Sequence, residues 1–383
     1  MKRTSNIAAD GVVGLVETLL SRALEARASD VHFEPTDREL LVRFRLDGVL
    51  HDCERLPKSI SDNVIARLKV LAGLLTYRVD IPQEGSIPAA GFGADDRAPR
   101  DMRVATFPTV RGERAVVRIF YTGQGISELD ELGLTPEAAG ALRAAVERPS
   151  GMIVVTGPAG SGKSTTLYAL ARHILRASPG RSVVALEDPV EQRVDGLAQI
   201  QIAPHGELDY PRALRSILRQ DPQVLLVGEV RDAPTATIVV EAALTGHLLL
   251  TTMHSGDPAE ALVRLLEMGV APYQVVSTVG LVATQRLVRV LCRSCRQATG
   301  RADEPFVHAG CDICHGTGYQ GRTACAQLMR MDPMLRAAVL ARATAERLRE
   351  LAVEQGSSLA AEADRLVREG GTDRDEVRRV IGL

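Results

Sequence analysis

The sequence predicts an α/β protein: a small α+β domain first, then a doubly wound, mainly parallel sheet. Three observations predict it. From residue 140 onward, short apolar runs alternate with helical segments, the pattern of strands joined by crossover helices. The first 125 residues carry instead period-2 strands and two helical stretches. A glycine-rich loop, Gly157–Ser164, sits between an apolar run and a helical segment. Sheets of this kind bind anions at such turns.

In chain order, Val12, Val13, Val16, Leu19, Leu20, Ala23 and Leu24 fall at helical spacing over residues 11–27. "SDVHFEP" reads as a short strand. "ELLVRFRLDGVLHD" alternates and turns at Asp47-Gly48, a hairpin signal. Ile60, Val64, Leu68, Leu71 and Leu75 return to helical period over 57–75. "DMRVATFPT" and "ERAVVRIFY" read as two further strands. This domain is assigned residues 1–125, and a polar, glycine-containing linker residues 126–139. The runs "MIVVTG", "SVVALED", "QVLLVGE" and "HLLLTTMH" are expected as buried parallel strands of a domain over 140–290. One intervening helix is opened by Asp257-Pro258 and closed by Gly269. A cysteine-bearing insert follows over 291–325, and a helical region over 326–383.

Composition narrows the function. At roughly 150 residues per domain, a chain of 383 residues accommodates two or three domains. A net charge of −2 and an aromatic content of 3% with no tryptophan argue against a nucleic-acid partner. No apolar run approaches the ~18 residues of a membrane span, and the start "MKRTSNIAADG" lacks a signal-peptide core. A cytosolic protein is expected, with any membrane role peripheral. Only four of the 46 basic residues are lysines, Lys2, Lys58, Lys69 and Lys163, so a lysine inside the glycine loop is a selected feature.

That loop fits G-x-x-x-x-G-K-[ST] in the required strand–helix context. Gly157, Pro158, Ala159, Gly160, Ser161, Gly162, Lys163, Ser164 and Thr165 are expected to hold nucleotide phosphates. Lys163 should reach the β- and γ-phosphates and Ser164 should contact Mg²⁺. In "LLVGEVRD" an apolar strand ends at Glu229, placed to polarise an attacking water or to hold Mg²⁺ through water. The aspartate common at that position is absent. "ALEDPVE" ends a further strand in Glu187, Asp188 and Glu191. In "TGHLLLTTMH", seven residues of extended chain span roughly 23 Å and put His247 and His254 on opposite faces. His254, at the carboxyl end, is the phosphate-sensing candidate. His247 belongs near the strand's start or at an interface.

Cys292, Cys295, Cys311 and Cys314 form two C-x-x-C knuckles, the spacing of a tetrahedral Zn²⁺ site. His308 and His315 are near enough to substitute, but four cysteines suffice. A four-thiolate site leaves no open position, so its role should be structural. Cys53 and Cys325 read as isolated structural thiols.

In this order, "ASDVHFEP", "RFRLDGVL", "GPAGSGKSTTLYALA", "LEDPVE", "LRSILRQDPQVLLVGEVRD", "ALTGHLLLTTMHS" and the paired knuckles resemble the secretion E ATPases. Those proteins power type II secretion and type IV pilus assembly. The resemblance runs from about residue 15 to the end. It implies a PAS-like N-terminal domain and a RecA-like motor domain. It also implies an ATP-hydrolysing cytoplasmic homohexamer using Mg²⁺ and Zn²⁺, held to the inner membrane through a platform protein. Arg103 and Arg118 match nucleotide-facing arginines of the first domain, and Arg215 and Arg219 match arginines of the motor domain. Ser86 stands where arginine is usual in the family, and "TMHSGD" replaces "TLHTND". The extra N-terminal domain that full-length relatives dock on the cytoplasmic part of an inner-membrane linker protein is expected to be missing. Retraction motors lack the knuckles, which favours an assembly or secretion motor. Two other functions are weighed against it. A nucleic-acid translocase is disfavoured by charge and aromatics, and a non-hydrolysing scaffold by Lys163, Glu229 and the arginines.

Overall fold

Apolar residues at helical spacing give the first element, helix α1 over Gly11–Glu25, which buries Leu15, Val16, Leu19, Leu20 and Ala23. In the computed structural model, residues 11–88, 99–121, 128–202, 208–356 and 358–382 are described. The chain start read for a leader segment and the first residues of the linker, 126–127, lie outside them. The chain divides into two compact units, Met1–Gln124 and Gly125–Leu383.

The first unit continues with β1 (Asp30–Pro35), β2 (Glu39–Leu46), β3 (Val49–Pro57), α2 (Ser61–Leu71), β4 (Gln83–Pro88), β5 (Pro99–Thr109) and β6 (Gly112–Tyr121). The sheet order is β3-β2-β1-β6-β5-β4, and every neighbouring pair is antiparallel. Along β2 every second residue is buried: Leu40, Val42, Phe44 and Leu46. The β2–β3 turn is Asp47-Gly48 with both residues at positive φ, as a two-residue hairpin of matching twist requires. Two points differ from the sequence reading here. Helix α2 ends at Leu71, and Leu75, counted on its apolar face, is 49% exposed. The segment around Ser86, "IPQEGSI", to which no element was assigned from the sequence, contains β4. That strand sits at the sheet edge, where its glycine and proline cost few ladder bonds.

In the second unit a 3-10 turn, Leu129–Leu132, leads into α3 (Pro136–Val146), β7 (Gly151–Thr156), α4 (Lys163–Ala177), β8 (Val183–Glu187) and β9 (Ala198–Gln201). Next come α5 (Tyr210–Ile217), β10 (Val224–Val227), α6 (Ala233–Leu244), β11 (Leu248–Met253), α7 (Pro258–Glu267) and α8 (Pro272–Thr278). The chain continues through β12 (Val279–Leu291), β13 (Gln297–Ala298), β14 (Phe306–Val307) and β15 (Tyr319–Arg330). Four helices close it: α9 (Pro333–Leu340), α10 (Ala345–Glu354), α11 (Leu359–Arg368) and α12 (Arg374–Ile381). The main sheet has the order β15-β12-β7-β11-β10-β8-β9. All its pairs are parallel except β12–β15.

Strand β7 shows why this sheet is apolar on both faces. Met152 and Val154 enter one core with α5, α6, α7 and α8, whereas Ile153 and Val155 enter the other with α3 and α4. The segment 126–139, read as a polar linker, gives Leu129 and Leu132 to that second core. Strands β12 and β15 were not foreseen. They pair over their length within the main sheet, so the cysteine-bearing excursion joins Leu291 to Tyr319 and the helices start at Pro333.

One ion pair is buried inside the first unit. Lys69 Nζ lies 2.5 Å from Glu113 Oε1, with side-chain exposures of 1% and 7%, and donates to Arg78 O at 2.8 Å. Removing one partner strands the other's charge out of water. Glu113→Ala should therefore destabilise the first unit by about 3–5 kcal/mol, and Lys69→Met/Glu113→Leu by much less. Chemical denaturation reads this; equal losses for the single and double variants would contradict it.

Candidate active site and metal centre

Strand β7 ends at Thr156, and the glycine loop turns into α4 at Lys163. Gly157 and Gly162 have φ of +146° and +87°. A Cβ on Gly157 would sit 2.4 Å from Gln285 O, and one on Gly162 would sit 2.7 Å from Gln285 Nε2. No side chain fits at either place. Lys163 Nζ donates to Gly157 O at 2.9 Å and to Pro158 O at 3.0 Å. Burial pushes its ammonium below the usual range; Arg286 adds to this and Glu191 opposes it.

The carboxyl ends of the parallel strands bring the other groups to the same place. Met253 of β11 is in register with Thr156, so His254 follows beside the loop. Val227 of β10 is in register with Leu186 of β8, which sets Gly228-Glu229 beside Glu187. Together they line a cavity of about 420 Å³ that contains Ala159–Thr165, Glu187, Glu229 and His254. Its size is that of a small-molecule site.

Among the described residues four acids line this cavity, Glu187, Asp188, Glu191 and Glu229, and two of them, Glu229 and Glu187, have partners. Glu229 is ion-paired with Arg231, and its Oε2 lies 3.0 Å from His254 Nε2. Burial lowers the affinity of His254 for a proton, and the charges of Lys163, Arg231 and Arg264 lower it further. Its imidazole is therefore mostly neutral at pH 7. Glu187 is 5% exposed; it accepts from the Tyr168 hydroxyl and, at 2.9 Å, from Gln199 Nε2. Burial raises its pKa, Glu191 adds to that, and the two hydrogen bonds oppose it.

Sequence reading missed Tyr168, Gln199, Gln285, Arg231 and Arg322, the last two of which line the cavity. Arg231 stood inside the quoted "LLVGEVRD", whereas Arg322 and Gln285 lie on the two unforeseen strands. The structure does not bring Arg215 and Arg219 to this cavity; both are exposed on and just after α5. Arg103 and Arg118 belong to the first unit, directly opposite each other on β5 and β6. Arg103 stacks over Phe120, and Arg118 donates to Asp30 at 3.0 Å. His247 lies at the start of β11, its Nδ1 2.9 Å from Ala242 O.

The four cysteine sulfurs lie within 4.8 Å of one another. The Cys292–Cys311, Cys295–Cys314 and Cys311–Cys314 sulfurs are 3.9, 3.8 and 3.8 Å apart. A tetrahedron with Zn–S bonds of about 2.3 Å has edges of about 3.8 Å, so the geometry fits zinc. All four are free thiols, far beyond disulfide distance. The N–H groups of Cys311 and Gly318 both donate to Cys314 Sγ at 3.2 Å, which favours a thiolate there. His308 is otherwise engaged: its Nδ1 lies 2.7 Å from Asp373 Oδ2.

Asp373 fastens the cysteine excursion to the tail. It caps α12 by accepting from Glu376 N, and it also accepts from His308 N and the Tyr319 hydroxyl. Burial would raise its pKa, but these donors outweigh it and hold the carboxyl below the usual range. Arg289 of β12 makes three hydrogen bonds to the fully buried Glu376. Arg374 N donates to Glu304, and Arg296 to Gly370 O, both at 2.9 Å.

Among the described residues, no helix is long and apolar enough to cross a membrane. The chain is similar in fold to the ATPase DotB of Legionella pneumophila, with a TM-score of 0.70 at 21% identity over 96% of this chain and 95% of that one. It is 39% identical to the putative type II secretion system protein E of Escherichia coli, over 96% of this chain and 76% of the relative. It is 37% identical to the type IV pilus assembly ATPase PilB of Thermus thermophilus, over 89% of this chain and 40% of the relative. The family model described as type II/IV secretion system protein matches residues 8–379. With that match over nearly its whole length, the chain belongs to the type II/IV secretion system protein family.

Proposed function

We propose that this chain is an ATP-hydrolysing motor of a type II secretion or type IV pilus assembly machine. The observation that carries the reading is one cavity lined by a phosphate loop with its lysine, a carboxylate at the next strand ends, and a neutral imidazole. Family membership gives the direction of the work: relatives on both sides are named for secretion or pilus assembly.

The chemistry follows from those groups. Loop N–H groups and the Lys163 ammonium hold the β- and γ-phosphates of ATP. Ser164 is the residue to hold Mg²⁺, which supplies charge neutralisation on the phosphate oxygens. Glu229 orients the attacking water and takes its proton. His254, bonded to Glu229, fixes the direction of that carboxylate and would sense the γ-phosphate. Glu187, its pKa raised by burial, lines the same cavity and is held there by Tyr168 and Gln199. Arg231 and Arg322 offset the negative charge that phosphates bring into the cavity.

The chain is proposed to work as a homohexamer, cytoplasmic and bound peripherally to an inner-membrane platform protein. A linker protein's cytoplasmic domain is a further candidate partner. The exposed arginines Arg215 and Arg219, and the pair Arg103 and Arg118, are then candidates to stabilise the transferring phosphoryl group in the assembled ring. The all-antiparallel sheet and two helices of the first unit support a PAS-like reading, and the parallel sheet with its loop after β7 supports a RecA-like one. Cys292, Cys295, Cys311 and Cys314 are proposed to hold one structural Zn²⁺ per chain.

Two outcomes are expected. Lys163→Ala abolishes ATP turnover, and Glu229→Gln slows hydrolysis at least ~10²-fold while nucleotide binding is kept; a Gln variant turning over at wild-type speed would remove Glu229 from the mechanism. Purified protein carries one zinc per chain, and Cys311→Ser/Cys314→Ser loses it. In that variant hydrogen exchange should quicken at the amides of His308 and of Glu376 together, since Asp373 joins them. Stoichiometric zinc on the double variant would refute the ligand set.

A further inference from the structure

Gln285 lies within β12 and is 2% exposed. Its amide is bonded on both sides to the phosphate loop and the helix it opens. Nε2 donates to Ser161 O at 2.9 Å, and Oε1 accepts from the Thr166 hydroxyl at 2.8 Å. Ser161 and Thr166 are buried as well. The amide can take only this orientation: turned over, its oxygen would face the Ser161 carbonyl with no proton between them. The same residue also crowds the loop at both ends, against Gly157 through its carbonyl and against Gly162 through its amide nitrogen.

We propose that Gln285 is a positioning residue for nucleotide, acting through the peptide that joins Ser161 to Gly162. In a trans peptide the C=O and the N–H point in opposite directions. Holding the Ser161 carbonyl on the β12 side therefore turns the Gly162 N–H to the other side. A loop that binds phosphate must present N–H groups and hide its carbonyls. With glycines at 160 and 162, both at positive φ, the backbone has little else to fix that peptide. Gln285 supplies the constraint from β12, outside the loop and the helix it opens. Its bond to Thr166 ties the same constraint to α4, where Thr166 N closes the first helical hydrogen bond to Gly162 O at 3.0 Å. Gln285 itself does not touch the substrate.

This inference rests on the reading of the loop as a nucleotide site, and the test separates the two. Mg²⁺–ADP binding is measured by calorimetry for the wild type, Gln285→Met and Gln285→Glu, from pH 8 to pH 5.5. The Met variant should bind on the order of 10-fold more weakly than wild type at every pH, having lost both bonds. The Glu variant should be at least as weak at pH 8, where an ionised carboxylate faces the Ser161 carbonyl. Its affinity relative to wild type should recover as pH falls, because the protonated acid again donates to Ser161 O and accepts from Thr166. A merely structural role would not give that recovery, and the Glu variant at low pH stays informative if the Met variant fails to fold. A Met variant binding ADP within twofold of wild type, or a Glu variant with a pH-independent deficit, would overturn the proposal. A wild type that binds no ADP would overturn the nucleotide reading and this inference with it.

Discussion

The parallel register of β7, β11, β10 and β8 is the constraint on which the second unit depends. Met253 opposite Thr156 and Val227 opposite Leu186 make four strands stop at one edge. Residues far apart in sequence, Lys163, Glu187, Glu229 and His254, therefore line one cavity. A slip of one residue in any strand would turn its core residues to the wrong face and withdraw its carboxyl-terminal group. Hydroxyls hold the strand ends in place: Thr252 donates to Gly228 O at 2.7 Å, and Thr251 to Val227 O at 2.8 Å. The Thr156 hydroxyl, at the last residue before the loop, accepts from Ser255 N at 3.0 Å. The charged groups then set one another. Burial, with the charges of Lys163 and Arg231, lowers the proton affinity of His254, and burial raises the pKa of Glu187.

Beyond the sheet edge, the four-cysteine excursion leans on the tail as well as on any metal. A segment this small cannot bury a core sufficient to hold itself together. Arg289, Asp373 and Glu376 supply a charged network instead, with Tyr319 between the Arg289 guanidinium and the His308 ring. Because β12 carries both Gln285 and Arg289, one strand touches the glycine loop and the tail that fastens the four-cysteine excursion. The tail is thus part of the same body as the knuckles.

Much of the fold was legible in the sequence because the signals were local. Period-2 alternation gave β2, Asp47-Gly48 gave its turn, and Asp257-Pro258 gave the start of α7. What was not legible depended on distant pairing. Strands β12 and β15 pair across the whole cysteine excursion, with no turn residues to announce a hairpin, so the knuckle motif drew the boundaries in their place. Strand β4, with a glycine and a proline, is a strand only because β5 lies beside it. The same limit governs the site. Glu187, Glu229 and His254 could be singled out because apolar runs end at them. Tyr168, Gln199 and Gln285 act through hydrogen bonds made by tertiary approach, which no motif encodes. Arg215 and Arg219 were chosen by resemblance, and the folded chain leaves them exposed and away from the cavity.

The central claim is that this cavity hydrolyses ATP, and that the chain does so as an assembled ring. Phosphate release from Mg²⁺–ATP by the purified wild-type chain, followed across a wide range of protein concentration, tests it most directly. The account predicts turnover whose rate per chain rises with concentration as rings form and then levels off. No phosphate release at any concentration would contradict it.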